Sequence, residues 1–242
     1  MGSVGTVSRP DEFNGYFGTR SGEPFNQRLQ TMLGDNIINP NYGKDSSYER
    51  NCALCAAAVP LYLKGYDVEA MARDKEWRGY DSVFDVDYHN TDNYILPSSK
   101  YSFYGTPSTG ELERQGVQNV PTFSRGADKV AQQVIDKVKS WGDGSVAVLR
   151  VKWKDTSSAH AVNIVNNNGN VMLIDAQSGK RYNSNYISQY LKRTVANHTT
   201  LIRLDNAPVK QNIKDLNKMF KKRSSRKDSI DKALDKIDWS KF

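Results

Sequence analysis

The sequence predicts a mixed α+β protein, and two observations favour this class. An alanine-rich, apolar segment that begins at Cys52 has the composition of a buried helix, and Gly65 follows it as a helix stop. Further along the chain, runs rich in β-branched residues and bounded by turn residues indicate strands at 145–153, 160–165, 171–175 and 199–205.

The helices are predicted in order from spacing and capping residues. Asn51 is a favourable N-cap for a helix over 52–64, and Pro60 is expected to kink or split that helix. Further helices are predicted at 25–33, 126–141 and 186–193, whereas residues 67–73 form a short strand or turn. Residues 76–125 are aromatic and turn-rich with no clear period, so no element is assigned to them.

Composition predicts three regions along the chain. Residues 1–36 form a loose arm, 37–206 hold the domain with the candidate site, and 207–242 form a basic tail of two amphipathic helices, at 209–222 and 229–237. The net charge is +7, and residues 208–242 alone carry eleven Lys/Arg and five Asp, a net of +6. Such a tail is typical of binding to DNA, to an anionic surface or to an acidic partner such as a virion protein, and an equal alternative is a solubilising role.

Two cysteines three residues apart, Cys52 and Cys55, leave several chemistries open. A Cys-x-x-Cys pair is found in redox sites and as half of a zinc site. His89, His160 and His198 are scattered singly and the segment before Cys52 reads as a polar loop, so both interpretations are disfavoured and no metal or cofactor is expected. No apolar run is long enough for a membrane span, and the N-terminus lacks the apolar core of a secretory signal.

The spacing of His160 and Asp175 indicates that they meet across a hairpin. If the chain folds about Asn167 and Asn168, His160 stands directly opposite Asp175, on one face with Val162 and Ile164. A carboxylate in that position holds the Nδ1–H of the imidazole and fixes its tautomer.

Cys52 is the candidate nucleophile, and Cys55, one turn further along the helix, is assigned to packing. A helix N-terminus and a neighbouring imidazolium both lower the pKa of a thiol. The backbone N–H of Cys52 is a natural oxyanion donor, and Asn51, Asn39 and Gln177 are candidates for a second donor or for pocket residues. Taken singly, each residue also has a structural explanation: a core cysteine, a histidine at a strand end, an aspartate that begins a turn.

The residues around these positions resemble the papain-fold toxin domain, the glutamine-deamidase-like toxins of bacterial polymorphic toxin systems and bacteriophages. The resemblance spans roughly residues 37–206 and includes copies attached to phage minor head proteins. The matching segments are Asn39-Pro40, Asn51-Cys52-x-x-Cys55, the stretch Lys64 to Ala70, His160-Ala161-Val162-Asn163, Ile174-Asp175-Ala176-Gln177-Ser178-Gly179 and Ile202 to Asn206.

The resemblance implies a papain-like fold, in which an N-terminal helix carrying Cys52 packs on an antiparallel sheet carrying His160 and Asp175 as base and orienter. It implies a cysteine enzyme that acts on amide bonds of a protein substrate, with glutamine deamidation favoured over proteolysis. Papain's own glutamine six residues before the cysteine is absent, since Ser46 stands there. The alternative is a structural phage virion protein that uses the fold as a scaffold, and the expected location is a virion or the cytoplasm of a target cell.

Overall fold

The computed structural model describes residues 23–34, 36–73, 79–98, 105–210 and 216–223. The largest element is a six-stranded antiparallel sheet with the strand order β2-β7-β3-β4-β5-β6, and a second sheet pairs β1 with β8. The strands are β1 Val68–Ala70, β2 Tyr94–Ile95, β3 Val146–Lys152, β4 Ala159–Asn167, β5 Asn170–Asp175, β6 Lys180–Asn183, β7 Thr200–Arg203 and β8 Phe220–Lys222.

The helices cover both faces of the large sheet. They are α1 Phe25–Gly34, α2 Cys52–Leu63, α3 Tyr80–Val83, α4 Thr109–Arg114, α5 Ala127–Ser140 and α6 Ser184–Lys192. Helix α2 packs with Val146, Val148 and Val165 on one face, while α5 and α6 pack with Val162 and Leu173 on the other. Because both faces are covered, β3 is buried at nearly every position rather than at alternate ones. The predicted α+β, papain-like arrangement is confirmed: the helix that carries Cys52 lies on the antiparallel sheet that carries His160 and Asp175.

Helix α2 runs through Pro60 without a break, so the expected kink or split is wrong. A proline has no N–H, which leaves the carbonyl four residues earlier, that of Ala56, without its helical donor. The side-chain amide of Asn163 on β4 donates to this carbonyl at 2.9 Å. The replaced hydrogen bond keeps the helix intact and ties it to the sheet.

The end of α2 follows the prediction. Lys64 is the C-cap, and Gly65 adopts φ = 104°, a conformation that glycine takes without steric cost. The amides of Gly65 and Tyr66 donate to the carbonyls of Tyr62 and Leu61 respectively, which is a Schellman ending.

The β4–β5 hairpin exists, but its register differs from the prediction. The turn consists of Asn168 and Gly169, both at positive φ (51° and 80°), so residue numbers that face each other sum to 337 rather than 335. An Asn-Gly pair favours this two-residue type I′ turn because its twist matches the strands. Ile164 therefore faces Leu173, and His160 lies diagonal to Asp175 instead of directly opposite. A shift of two positions in the partner preserves the face, so both side chains remain on the same side of the sheet.

Described segments within the predicted arm and tail pack on the domain. Helix α1 contributes buried Leu29 and Met32 to the core, although its sequence falls within the region assigned to a loose arm. In the tail, Met219 and Phe220 are buried and β8 pairs with β1, where a helix over 209–222 was expected. Pairing with β1 and burial outweigh the weak helical spacing there. The helix predicted at 229–237 lies outside the described residues.

Two strands escape the sequence patterns because they are short or polar. Strand β2 has only two residues and extends the sheet beyond β7, inside the stretch 76–125 that shows no period. Strand β6 pairs with β5 in a register that sets Lys180 opposite Asp175. Its sequence, Lys-Arg-Tyr-Asn, lacks the apolar alternation by which strands are recognised.

Candidate active site

Cys52 occupies the first position of α2, as predicted. The carbonyl of Asn51 accepts the amides of Leu54 and Cys55, so the helix begins at Cys52 and the Cys52 N–H has no acceptor within the helix. The thiol is only partly exposed. It therefore lies where the helix dipole and free backbone donors favour an anion.

His160 and Asp175 form a hydrogen-bonded pair at the end of the hairpin. The imidazole Nε2 lies 3.2 Å from Oδ2 of Asp175, and both side chains are mostly buried. The sequence predicted Nδ1 for this contact, so the predicted ring nitrogen is wrong. The diagonal register explains the difference, because the far nitrogen of the ring is the one that spans the longer separation.

The imidazole also hydrogen-bonds the thiol of Cys52, which completes a Cys–His–Asp arrangement. Cys52 approaches from the layer of α2, whereas His160 and Asp175 belong to the opposite face of the sheet. The contact is possible because the β4–β5 ladder ends at Asn163 and Ile174, so the two strands are not paired with each other at His160 and Asp175. The three groups thus meet at the open end of the sheet.

The backbone of β4 supplies a further donor to the thiol. The amide of Asn166 donates to Ser145 and that of Trp153 to Ser158, so even-numbered β4 residues pair with β3 and odd-numbered ones face β5. Ala161 is odd-numbered and lies beyond the last β4–β5 pair. Its N–H donates to Cys52 instead and stabilises a thiolate.

These contacts shift the pKa values of Cys52 and His160 in the directions that favour an ion pair. Burial pushes the pKa of the Cys52 thiol upward, but the hydrogen bond and positive charge of His160, with the Ala161 N–H, outweigh it and hold the pKa below the ordinary value. Burial lowers the pKa of His160, and its hydrogen bonds to Asp175 and Cys52 overcome this and raise it to about 10. Both shifts favour the state in which a Cys52 thiolate lies beside a His160 imidazolium.

Asp175 is fixed by the turn that follows it. Its carboxylate accepts the amide of Gln177 at 3.2 Å and the hydroxyl of Ser178 at 2.9 Å, besides the imidazole. Burial raises the pKa of this carboxyl, yet His160 and Ser178 bring it below its usual value. The structural explanation, an aspartate that begins a turn, thus holds together with the predicted contact to His160.

Asn39, Asn51 and Gln177 come together beside Cys52 in one buried group of amides. The Asn39 amide nitrogen donates to the carbonyls of Gln177 at 2.8 Å and Tyr48 at 2.9 Å. The Asn51 amide nitrogen donates to the Met71 carbonyl at 2.9 Å and to the Asn39 side chain at 3.2 Å. Both hydrogens of each amide are engaged, so neither residue is available as an oxyanion donor, contrary to expectation. Asn51 also forms no side-chain cap on α2.

Gln177 differs from the two asparagines. Its amide nitrogen donates only one hydrogen, to Asn51 Oδ1 at 3.4 Å, and the residue is 8% exposed. The second hydrogen is available to a ligand. Of the three predicted candidates, Gln177 alone keeps a donor.

A group of rings behind His160 was not anticipated. The Trp153 indole stacks on the imidazole with centroids 6.0 Å apart and planes at 23°, and the Tyr190 ring meets Trp153 edge-on at 5.4 Å. The Arg193 guanidinium covers the same indole at 5.2 Å. The sequence signal was a tryptophan beyond the end of β3, and its proximity to His160 follows only from the β3–β4 pairing.

Cys55 is buried, as its assignment to packing requires. It is 1% exposed, and its thiol donates to Asn51 Oδ1 at 3.3 Å. Burial, together with the charges of Cys52 and Asp175, raises its pKa well above the ordinary value. The two cysteines are one turn apart, yet the pKa of Cys52 is lowered and that of Cys55 is raised.

The described residues offer neither a cluster of metal ligands nor a membrane-spanning helix. They contain no group of three or more His, Cys, Asp or Glu side chains placed to hold a metal ion. No described helix combines the length and apolar character that a membrane crossing requires.

A cysteine at a helix N-terminus, with a histidine and an aspartate on an antiparallel sheet, defines the class of papain-like, cysteine-dependent enzymes. The chain belongs to the family described as papain fold toxin 1, glutamine deamidase, which matches residues 50–180, more than half of its length.

Comparison with solved structures gives a distant match to the Pseudomonas avirulence protein AvrPphB. The identity is 16% and the TM-score 0.26, with 34% of this chain and 47% of that chain covered, so the match spans about half of AvrPphB's length. No curated protein matches the chain.

Proposed function

We propose that this protein is a glutamine deamidase that acts on a protein substrate. The carrying observation is the Cys52 thiol at the start of α2, hydrogen-bonded to an imidazole that Asp175 holds at 3.2 Å. The proposed reaction follows the description of the family as a glutamine deamidase. Because the family is also described as a toxin, we propose that the substrate lies in a target cell. Cys52 is the proposed nucleophile, His160 the proton carrier and Asp175 the residue that orients the ring.

In the first half of the proposed reaction, the Cys52 thiolate attacks the side-chain carbonyl carbon of a substrate glutamine. The carbonyl oxygen becomes an oxyanion, for which the N–H of Cys52 and the free hydrogen of Gln177 are the proposed donors. The His160 imidazolium then gives its proton to the amide nitrogen, the C–N bond breaks and ammonia leaves. A thioester to Cys52 remains, and His160 is neutral.

In the second half, water replaces the sulfur. Neutral His160 removes a proton from water, the resulting hydroxide attacks the thioester carbonyl, and the C–S bond breaks. The product is a glutamate side chain, and Cys52 returns as a thiolate beside an imidazolium. Asp175 keeps the Nε2 side of the ring occupied throughout, so the other nitrogen exchanges protons with sulfur, amide and water.

The experiment is ammonia release from a neutral glutamine-containing peptide, with the glutamine-to-glutamate change read by mass spectrometry. Cys52→Ala is expected to abolish turnover, and His160→Ala to reduce kcat by about 10²–10⁴-fold. Cys55→Ala is the matched control, because it removes the other thiol of the same helix and should retain turnover.

Two results would overturn the proposal. Cleavage of the peptide backbone without ammonia release would indicate a protease. Unchanged turnover in Cys52→Ala would remove this site from the reaction. The association with a phage head and the binding of DNA by the tail stay predictions from the sequence.

A further inference from the structure

The structure assigns a second chemistry to α2: we propose that Cys52 and Cys55 form a reversible disulfide when an organic or hydrogen peroxide oxidises Cys52, and that Cys55 acts as the resolving thiol. The inference rests on one element of the proposed function, the reactive Cys52 thiolate. It requires neither a glutamine substrate nor any particular reaction.

The spacing of the two cysteines suits a disulfide. Cys52 and Cys55 occupy the first and fourth positions of α2, and Cα atoms three residues apart in a helix are separated by about 5 Å. Disulfides join Cα atoms about 4.4–6.8 Å apart. Cβ atoms three residues apart on a regular helix are about 5–6 Å apart, wider than the roughly 3.5–4.5 Å of a disulfide, so the first turn of α2 tightens slightly as the two sulfurs join.

The direction of the Cys55 side chain also favours a disulfide with Cys52. Side chains in a helix tilt toward its N-terminus, and the Cys55 thiol confirms this by donating to Asn51, the residue before Cys52. The thiol therefore points along the helix toward Cys52. The charge on Cys52 acts on Cys55 strongly enough to help raise its pKa, which agrees with close approach.

The two thiols differ in accessibility and in protonation. Cys52 is partly exposed and stabilised as a thiolate, which is the state that peroxide oxidises. Cys55 is fully buried and protonated, so a peroxide does not reach it first. An accessible attacking sulfur and a sheltered resolving sulfur are the two parts that a dithiol site requires.

The steps balance without an external acid or metal. The Cys52 thiolate attacks one oxygen of hydrogen peroxide, the O–O bond breaks, and the hydroxide that leaves takes the proton of His160 to become water. Cys52 is then a sulfenic acid. The Cys55 sulfur attacks it, the S–O bond breaks, and the departing hydroxide takes the proton of the Cys55 thiol, which leaves a disulfide and a second water.

The consequence is a site that is switched off by oxidation and protected from permanent damage. A disulfide removes the nucleophile, whereas further oxidation to a sulfinic acid would be irreversible. A dithiol reductant restores the thiolate. Because His160 stabilises the reduced form, the disulfide is readily reduced, so a reducing compartment keeps the site active.

The test uses the full chain, hydrogen peroxide and three proteins: wild type, Cys55→Ser and Cys55→Ala. Serine retains a donor to Asn51, and alanine is tolerated in this alanine-rich helix, so at least one variant is expected to fold. After peroxide, wild type should lose two hydrogens in its intact mass, with one peptide linking both cysteines, and dithiothreitol should restore almost all alkylation of Cys52 by iodoacetamide. The variants should gain oxygen instead, be trapped by dimedone and recover only in part.

The outcomes separate this inference from the proposed function. Wild type that gains oxygen like the variants, or that keeps two alkylatable thiols after peroxide, overturns the disulfide. If Cys52 alkylates slowly at neutral pH before any peroxide is added, the reactive thiolate itself is refuted and the proposed function fails with it. Rapid alkylation without a disulfide refutes this inference alone.

Discussion

Pro60 and Asn163 are coupled through a single carbonyl group. Pro60 deprives the Ala56 carbonyl of its helical donor, and the Asn163 side chain replaces that donor at 2.9 Å. Asn163 lies on β4 three residues after His160 and is fully buried. A proline that looks like a defect in the helix is therefore the point at which the helix of Cys52 docks on the strand of His160.

This relationship predicts a non-additive pair of substitutions. Asn163→Leu leaves the Ala56 carbonyl buried without a donor and should lower the free energy of unfolding by about 1–3 kcal/mol. Pro60→Ala supplies an amide to the same carbonyl, so the cost of Asn163→Leu should fall clearly in the Pro60→Ala background. Urea denaturation of the four proteins measures the coupling. Strictly additive effects would contradict the shared carbonyl.

The ion pair predicts a different pH dependence for turnover and for alkylation. Turnover requires both the Cys52 thiolate and the His160 proton, so it should rise as Cys52 deprotonates and decline above pH of about 10, where His160 loses its proton. Alkylation by iodoacetamide needs the thiolate alone and should stay high there. Asp175→Asn removes a contact that raises the pKa of His160, so the alkaline decline should move to lower pH. An unmoved decline would show that Asp175 does not act on the ring.

Substitution of Gln177 should affect catalysis, whereas substitution of Asn39 should affect stability. Gln177→Leu removes the candidate amide that keeps a free hydrogen and is expected to reduce kcat by about 10²–10³-fold while stability changes little. Asn39→Leu breaks hydrogen bonds to two carbonyls, so its main effect should be a lower melting temperature. Kinetics and thermal denaturation of both variants provide the measurement. Equal loss of stability in the two would place Gln177 with the structural amides.

The tail strand should contribute to stability. Phe220 in β8 is completely buried, so Phe220→Ala is expected to cost about 3–5 kcal/mol. Lys222→Ala, at an exposed position of the same strand, is the matched control and should change the free energy of unfolding by less than about 0.5 kcal/mol. If Phe220→Ala were as harmless as the control, the tail would not belong to the core.

The sequence was sufficient where a local rule decides the structure. The end of α2 at Gly65 and helix α5 follow from a glycine stop and from helical spacing near the residues concerned. The start of α2 at Cys52 was also predicted, although Asn51 forms no side-chain cap there. The choice of Cys52 over Cys55 followed in the same way, because only one of them lies at the helix N-terminus.

The sequence was insufficient where two segments compete or meet at a distance. The choice between an Asn167-Asn168 and an Asn168-Gly169 turn altered every facing pair in the hairpin, although the face survived because strands alternate with a period of two. The engagement of Asn39 and Asn51 depends on the carbonyls of Tyr48, Gln177 and Met71, which no spacing rule connects to them. The same holds for Trp153 beside His160 and for the carbonyl that joins α2 to β4.

The most direct test of the central claim is the rate of Cys52 alkylation by iodoacetamide as a function of pH, in wild type and in His160→Ala, with the modified cysteine located by peptide mapping. The account predicts that wild type reacts through Cys52 with a midpoint below the pKa of an ordinary thiol, about 8.5, and that His160→Ala moves the midpoint upward. Identical midpoints in the two proteins, or modification of Cys55 in place of Cys52, would contradict it.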